Sequence, residues 1–392
     1  MAFRDRPDLI GMRFVRFHRD AKTTFDHLKG LLVPGSLPPD DPTGSLKQID
    51  PTPGEPHPAP SASGAITLGD VARLAGVSPS TVSRVLNRPE LVNAKTTEAV
   101  RAAIAETAYV PNLLAGGLAS KRSRLVAAIV PTIANSIFTE AVEALTDRLE
   151  EAGYHVLLGL TGYPATREAK LVEAILSRRP EGVFLTGVNH APETYRRLRA
   201  AGIPVVETWD ITDNPIDVVI GFSHAAVGRA VATYLTDKGY RRLAMVWADD
   251  ERAKIRRQGF LAALSEKGIG DVRTSMVPAP GNLQRGREGL ARLLDEPGPS
   301  PQAVFCSSDA LAQGVLAEAQ ARHLTIPGDL AVIGFGDLDL AAYTYPALTT
   351  VRIDRHAIGL KAAEAMLARI DGRQEVERTV DIGFRLIERA ST

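Results

Sequence analysis

Continuous apolar runs, each followed by helical periodicity, dominate the chain from Leu125 onward. They read "LVAAIVP", "YHVLLGL", "EGVFLTG" and "IPVVET", then "IDVVIGF", "RRLAMVW", "AVFCSSD" and "DLAVIGFG". A strand without polar alternation is buried on both faces, and a parallel sheet with helices on each side provides two buried faces. Stretches such as Glu140–Ala152, Arg167–Arg178 and Glu193–Ala201 supply helices. There are too many βα units for one small domain. The expected class is therefore α/β, with two doubly wound parallel-sheet lobes. A ligand cleft is expected at the carboxyl ends of the strands.

Ahead of this body lies a different pattern, "TLGDVARLAGVSPSTVSRVLN" from Thr67 to Asn87. Thr67 and Asp70 form a T-x-x-D capping pair, and Val71, Leu74 and Ala75 share one face of the helix that follows. Gly76 suits the left-handed turn after that helix. Ser78 is a cap for a second helix, with Pro79 at its first position, where a missing N–H costs nothing. Val82, Val85 and Leu86 give that helix an inner face. A third helix, from about Ala94 to Ala108 and capped by Asn93, turns Val100, Ala103 and Ile104 inward. The predicted head is a small all-α unit containing a helix-turn-helix.

Charge gives the head its meaning. Over the whole chain Lys plus Arg and Asp plus Glu both number 46, a net charge of zero. From Ile66 to Arg124, however, Arg73, Arg84, Arg88, Lys95, Arg101, Lys121, Arg122 and Arg124 face only Asp70, Glu90, Glu98 and Glu106. The outward residues of the second helix are Ser80, Thr81, Ser83, Arg84 and Asn87. Hydroxyls donate to phosphate oxygens, and a guanidinium can bond a guanine edge twice. The second helix is thus expected in a DNA major groove, its N-terminal turn at the base edges. Pro79 and Ser80 in that turn are short, which leaves much of the base reading to Arg84.

Other classes find little support. One cysteine, Cys306, excludes an internal disulfide framework and a multi-cysteine metal site, and it reads as a buried hydrophobe. No cofactor or metal is expected. No stretch approaches the roughly 18 apolar residues of a membrane span. The charged first residues offer no signal-peptide core, so a cytoplasmic location is expected. Residues 1–63, rich in Pro, Gly, Asp and Ser, read as a disordered extension or the product of an upstream start. An enzyme on the doubly wound fold would need G-x-G-x-x-G after a strand, a P-loop, H-E-x-x-H or G-x-S-x-G, and none occurs. A free-standing sugar-binding protein would leave the basic head unexplained.

The pattern "DVA..AGVS..TVSR.LN" followed by "YVPN" resembles the lactose-repressor (LacI-type) family of bacterial transcription regulators, over about Ile66 to Thr392. The resemblance implies a homodimer that binds operator DNA and answers to a small sugar-like effector. The implied domains are a DNA-binding head at 64–111, a hinge helix at 112–123, and an effector domain at 124–392 resembling periplasmic sugar-binding proteins. Lobe one would take about 124–222 and 343–371, and lobe two about 223–342 and 372–392. Thr67, Ser78 and Asn112 join the expected DNA contacts. Leu118 matches a leucine that wedges into the minor groove. Gly116 and Gly117 depart from the usual hinge, since each glycine costs a helix about 1 kcal/mol relative to alanine. With no heptad tail after "VDIGFRLIERAST", a dimer is expected.

Stretches including "GIPVVETWD", "DER" and "VFCSSDALAQG" resemble the gluconate-operon repressor branch, which implies gluconate or a related sugar acid. Such a ligand needs Asp or Asn for hydroxyls, an aromatic for the sugar face and Arg for a carboxylate. By the resemblance, Asp309 is an effector aspartate, Arg256 in "RRQGF" reaches into the cleft, and Arg252 is a further carboxylate partner. Phe138 falls at a family ligand position and Asn135 is in the same loop. Tyr163, Trp209, Trp247 and Asp337 stand near strand ends as further candidates. The family's Asp or Asn after the crossing strand is replaced by Ser223-His224, and this His is expected to be structural.

Overall fold

The computed structural model describes residues 66–110, 123–133, 136–163, 165–373 and 375–392. The N-terminal extension, the hinge segment with Asn112 and Leu118, and Asn135 lie outside the described residues.

The head holds three helices, α1 (Leu68–Leu74), α2 (Pro79–Asn87) and α3 (Ala94–Thr107). Thr67 and Asp70 close a reciprocal capping box on α1, which satisfies two N–H groups left open by the helix start. Ser78 Oγ accepts from the Thr81 N–H at 3.3 Å, and Asn93 Oδ1 accepts from the Thr96 N–H at 2.8 Å. Val71, Ala72, Val82, Val85, Val100 and Ala103 form one shared core. Leu74 departs from expectation and is exposed. The face that meets α2 and α3 centres on Val71 and the small Ala72 instead.

The body begins with β1 (Leu125–Val130), α4 (Thr139–Glu151), β2 (His155–Leu160), α5 (Ala165–Leu176), β3 (Gly182–Thr186), α6 (Pro192–Ala201), β4 (Val205–Thr208) and β5 (Val218–Gly221). It continues through α7 (His224–Asp237), β6 (Leu243–Ala248), α8 (Glu251–Glu266), β7 (Arg273–Val277), α9 (Leu283–Asp295), β8 (Ala303–Cys306), α10 (Asp309–Ala321) and β9 (Ala331–Ile333). It ends with α11 (Asp339–Tyr343), β10 (Thr350–Arg352), α12 (Arg355–Ile370), β11 (Thr379–Asp381) and β12 (Arg385–Ile387). One sheet runs β11-β5-β4-β3-β1-β2 and the other β7-β6-β8-β9. Every pairing within both sheets is parallel, as in Val126 opposite Gly182 and Ala244 opposite Val304. Strand order reverses beside β1 in one sheet and beside β6 in the other. These reversals leave crevices at the carboxyl ends, where ligands bind in open α/β sheets.

Three details correct the sequence reading. The segment 372–392 does not belong wholly to the second lobe: β11 pairs with β5 and extends the first sheet before the chain continues to β12, which pairs antiparallel with β10. The apolar run of β2 is not buried on both faces, because β2 is an edge strand and exposes Leu157, Leu158 and Leu160. Strand β7 was not foreseen, since "RTSMV" is half polar. It too is an edge, and there the pattern of continuous burial has no reason to hold.

Candidate effector cleft and nucleic-acid interface

On the head, the hydroxyls at the start of α2 form a cluster. Ser78 Oγ lies 2.8 Å from Ser80 Oγ and 2.9 Å from Thr81 Oγ1. Asn87 Nδ2 donates to the Ser83 carbonyl at 2.8 Å, which holds the amide along the same helix. Arg84 is exposed, and no carboxylate among the described residues pairs with it. Arg73, by contrast, is paired with Asp70, and the Thr67 hydroxyl donates to the Asp70 carboxylate at 2.7 Å. The exposed edge of α2 therefore offers hydroxyl donors and one unneutralised guanidinium over a helix N-terminus, which together favour phosphate and base-edge acceptors.

In the body, the turns after β1, β4, β6, β8 and β9 converge on a small chamber of about 50 Å³. Phe138, Tyr163, Trp209, Arg252 and Arg256, five of the residues expected at an effector, line it together with His224, Asp250, Ser307, Ser308 and Phe335. A second cavity of about 210 Å³ shares Tyr163, Asp250 and Arg252 as walls and adds Asp210. The aromatic side is tightly built. Phe138 meets Trp209 edge-on with centroids 5.1 Å apart, and the Arg252 guanidinium lies 5.4 Å over the Phe138 ring. Trp209 holds a left-handed backbone, φ 70°, at the end of β4. That conformation is uncommon for a large side chain and belongs to a site held by its surroundings.

Arg256 is the centre of the chamber. It is 4% exposed, and its guanidinium stacks 4.0 Å from the Phe335 centroid. Nη1 meets His224 Nδ1 at 2.8 Å, and Nη2 donates to the Ser307 carbonyl at 2.9 Å. Among the described residues its Nε has no partner, nor has the buried indole N–H of Trp209. Neither Arg256 nor Arg252 has a carboxylate within ion-pair distance among the described residues. Burial pushes the Arg256 pKa down to about 10, so it is still a cation at neutral pH. Burial also raises Asp210 and Tyr163 above their ordinary values. Asp250 caps α8 through the Ala253 N–H at 2.9 Å, which explains why it stays beside the arginines without pairing with them.

Three expected contacts are corrected. Asp309 opens α10, but it does not line the chamber, and both its carboxylate oxygens have other partners. Oδ1 accepts from the Thr350 hydroxyl at 2.6 Å and Oδ2 from the Leu338 N–H at 2.8 Å. At 1% exposure, burial pushes its pKa up to about 6. Trp247 is buried within β6, with the Arg257 guanidinium 5.2 Å over its ring, and does not reach the chamber. Asp337 belongs to a separate cavity of about 630 Å³, where it pairs with Arg352 and with Arg389 at 2.8 Å. Strand-end position put each of these near the cleft in sequence; Trp247 instead lies inside its strand, and Asp309 and Asp337 are held by partners distant in the chain.

His224, expected to be structural, also lines the chamber. It is 1% exposed, and its Nε2 donates to the Trp209 carbonyl at 2.8 Å while Nδ1 meets Arg256. Its sequence signal was its place at the first turn of α7, directly after the crossing strand. Asp210 was legible only as the last residue of "ETWD". A second buried histidine, His190, lies beside the outer cavity. Nδ1 is 3.1 Å from Glu168, and Nε2 is 3.0 Å from the Gly187 carbonyl and 3.4 Å from Glu207.

A helix-turn-helix head joined in sequence to a two-lobed body with a polar cleft defines a ligand-responsive DNA-binding regulator. Residues 67–112 match the family described as bacterial regulatory proteins, lacI family, and residues 232–392 match the periplasmic binding protein-like domain. The chain is 39% identical over 328 residues to the HTH-type transcriptional regulator GntR of Pseudomonas aeruginosa, covering 83% of this chain and 95% of that protein. A LacI-family transcriptional regulator from Silicibacter pomeroyi has a similar structure, with TM-score 0.79, 34% identity, and coverage of 83% of this chain and 99% of that one. The lac repressor dimer bound to operator and the anti-inducer ONPF superposes with TM-score 0.70 at 26% identity, over 83% and 99% of the two chains. The chain belongs to the LacI family of bacterial transcription regulators. No helix among the described residues is long and apolar enough to cross a membrane.

Proposed function

We propose that this chain is a dimeric operator-binding repressor in the cytoplasm, released from DNA by a sugar acid of the gluconate type. The observation that carries the acid assignment is Arg256, a buried guanidinium that among the described residues has two neutral acceptors as partners and none at Nε. A buried cation without a counter-charge is costly, and a ligand carboxylate supplies both the charge and the missing acceptor. Arg252 at the chamber mouth adds a second positive charge, while Asp210 and Asp250 offer acceptors for hydroxyls. That the relatives are transcription regulators supports a non-catalytic role.

The dimer is supported by two sheet edges that are exposed among the described residues. Strand β2 exposes Leu157, Leu158 and Leu160; β7 exposes Met276, and Leu283 at the start of α9 is exposed as well. Open apolar strand edges invite pairing with another chain, and a second copy buries both. A ligand shifts the DNA equilibrium only by its preference for one arrangement of the lobes. Gel-shift titration on the DNA upstream of the protein's own gene tests the whole reading. The complex weakens steeply with salt and dissociates with gluconate but not with glucose. Release by glucose at lower concentration than gluconate refutes the acid assignment.

A further inference from the structure

We infer that His224 sets the charge selectivity of the cleft: it holds the Arg256 guanidinium with a neutral acceptor and so leaves its positive charge to the ligand. The inference rests on the sugar-acid reading above. Its basis is a hydrogen-bond count. The Trp209 carbonyl only accepts, so His224 Nε2 carries the proton facing it at 2.8 Å. The guanidinium only donates, so Nδ1, 2.8 Å from Arg256 Nη1, is the bare nitrogen. One ring thus has one donor and one acceptor, and it is uncharged. Burial and the neighbouring arginines also drive its pKa well below the ordinary value.

The placement is enforced from several sides. Phe222 packs against the imidazole with centroids 4.6 Å apart, and Phe335 lies 6.1 Å from it while stacking on Arg256. The imidazole therefore also links Arg256 to Trp209, the aromatic wall of the chamber. The carboxylates whose charge reaches Arg256, Asp250 and Asp210, each hold a backbone N–H through Oδ1, from Ala253 and Ile211, and among the described residues neither lies within ion-pair distance of the guanidinium. An aspartate at position 224 would put a carboxylate oxygen where Nδ1 stands and pair with Arg256 directly. It would cancel the charge that an acidic ligand needs and repel the ligand itself.

Three variants separate this role from simple packing. In His224→Asn the amide oxygen replaces Nδ1, so a neutral acceptor for Arg256 remains. His224→Asp puts a charge there. His224→Gln reaches toward the Trp209 carbonyl and takes the acceptor away from Arg256. Calorimetric titration of each with gluconate and glucose, alongside melting of the unliganded proteins, gives the test. Wild type and the Asn variant favour gluconate by about a hundredfold, the Asp variant brings the two ligands within about threefold, and Gln falls about tenfold below Asn for gluconate alone. A gluconate preference that survives in the Asp variant overturns the inference, as does equal gluconate affinity in the Asn and Gln variants. The latter comparison holds even if the Asp variant does not fold. Wild-type protein that does not favour gluconate removes the sugar-acid reading itself, a different failure.

Discussion

The Arg256 carbonyl oxygen lies where Gly228 has no side chain: a Cβ on Gly228 would stand 2.0 Å from it. The relation is reciprocal across the α7–α8 crossing, since a Cβ on Gly259 would stand 2.2 Å from the Ala225 carbonyl. The two glycines let the helix backbones touch, and that contact brings Arg256 on α8 against His224 at the first turn of α7. The glycine of "RRQGF" thus serves the site by permitting a close approach, without meeting a ligand.

Gly259→Ala is expected to force the helices apart. Overpacking of this kind costs about 1–3 kcal/mol, and the backbone contact makes relief difficult. Thermal melting should show the loss, and gluconate affinity should fall with it because Arg256 moves relative to His224. A variant that melts and binds like wild type shows that the crossing tolerates displacement.

Arg84→Ala should weaken operator binding by about 1–3 kcal/mol and relax sequence preference, because the guanidinium is exposed and has no carboxylate partner among the described residues. Fluorescence anisotropy with operator and scrambled duplexes measures both effects. Equal losses on the two duplexes would assign Arg84 to phosphate contact alone.

Arg256→Met should abolish the gluconate-induced rise in melting temperature while changing the unliganded melting little. A buried cation without a counter-charge contributes little to stability, so its replacement by an apolar chain of similar length is tolerated. A large drop in unliganded stability would show that the bonds to His224 and Ser307 outweigh the cost of burying the charge.

His190 gives a pH prediction of opposite character to His224. Both its ring nitrogens face acceptors, Glu168 and Glu207 and the Gly187 carbonyl, so it is held as the imidazolium. Burial opposes that charge, but the bonds to Glu168 and Glu207 overcome it and push the pKa up to about 9 from 6.5. A pKa raised by folding adds stability that is fully present below 6.5 and is lost as pH rises through about 9. Urea denaturation between pH 6 and 10 should show this decline, and His190→Gln should flatten it. An unchanged profile in the variant would assign the decline to other groups.

Leu158→Asp, on the exposed edge strand β2, should shift the protein from dimer to monomer in sedimentation and weaken operator binding with it. A variant that sediments as the wild-type dimer would place the interface elsewhere.

Most of the architecture was legible because burial on both faces leaves an uninterrupted apolar string. That is why β1, β3, β4, β6 and β8 could be read directly, and why the edges β2 and β7, buried on fewer sides, were misjudged or missed. The caps of α1, α2 and α3 were equally plain, since a cap is a contact between residues three apart. The arginines and aromatics of the cleft were legible by type. Their charge states and directions were not, because these depend on groups far away in the chain. Asp309 turns toward Thr350, Asp337 toward Arg389, and His224 toward both Trp209 and Arg256. Local order along the chain determined the elements and the basic head. Tertiary packing alone decided which polar groups meet inside, because a buried group takes its ionisation and orientation from its neighbours in space.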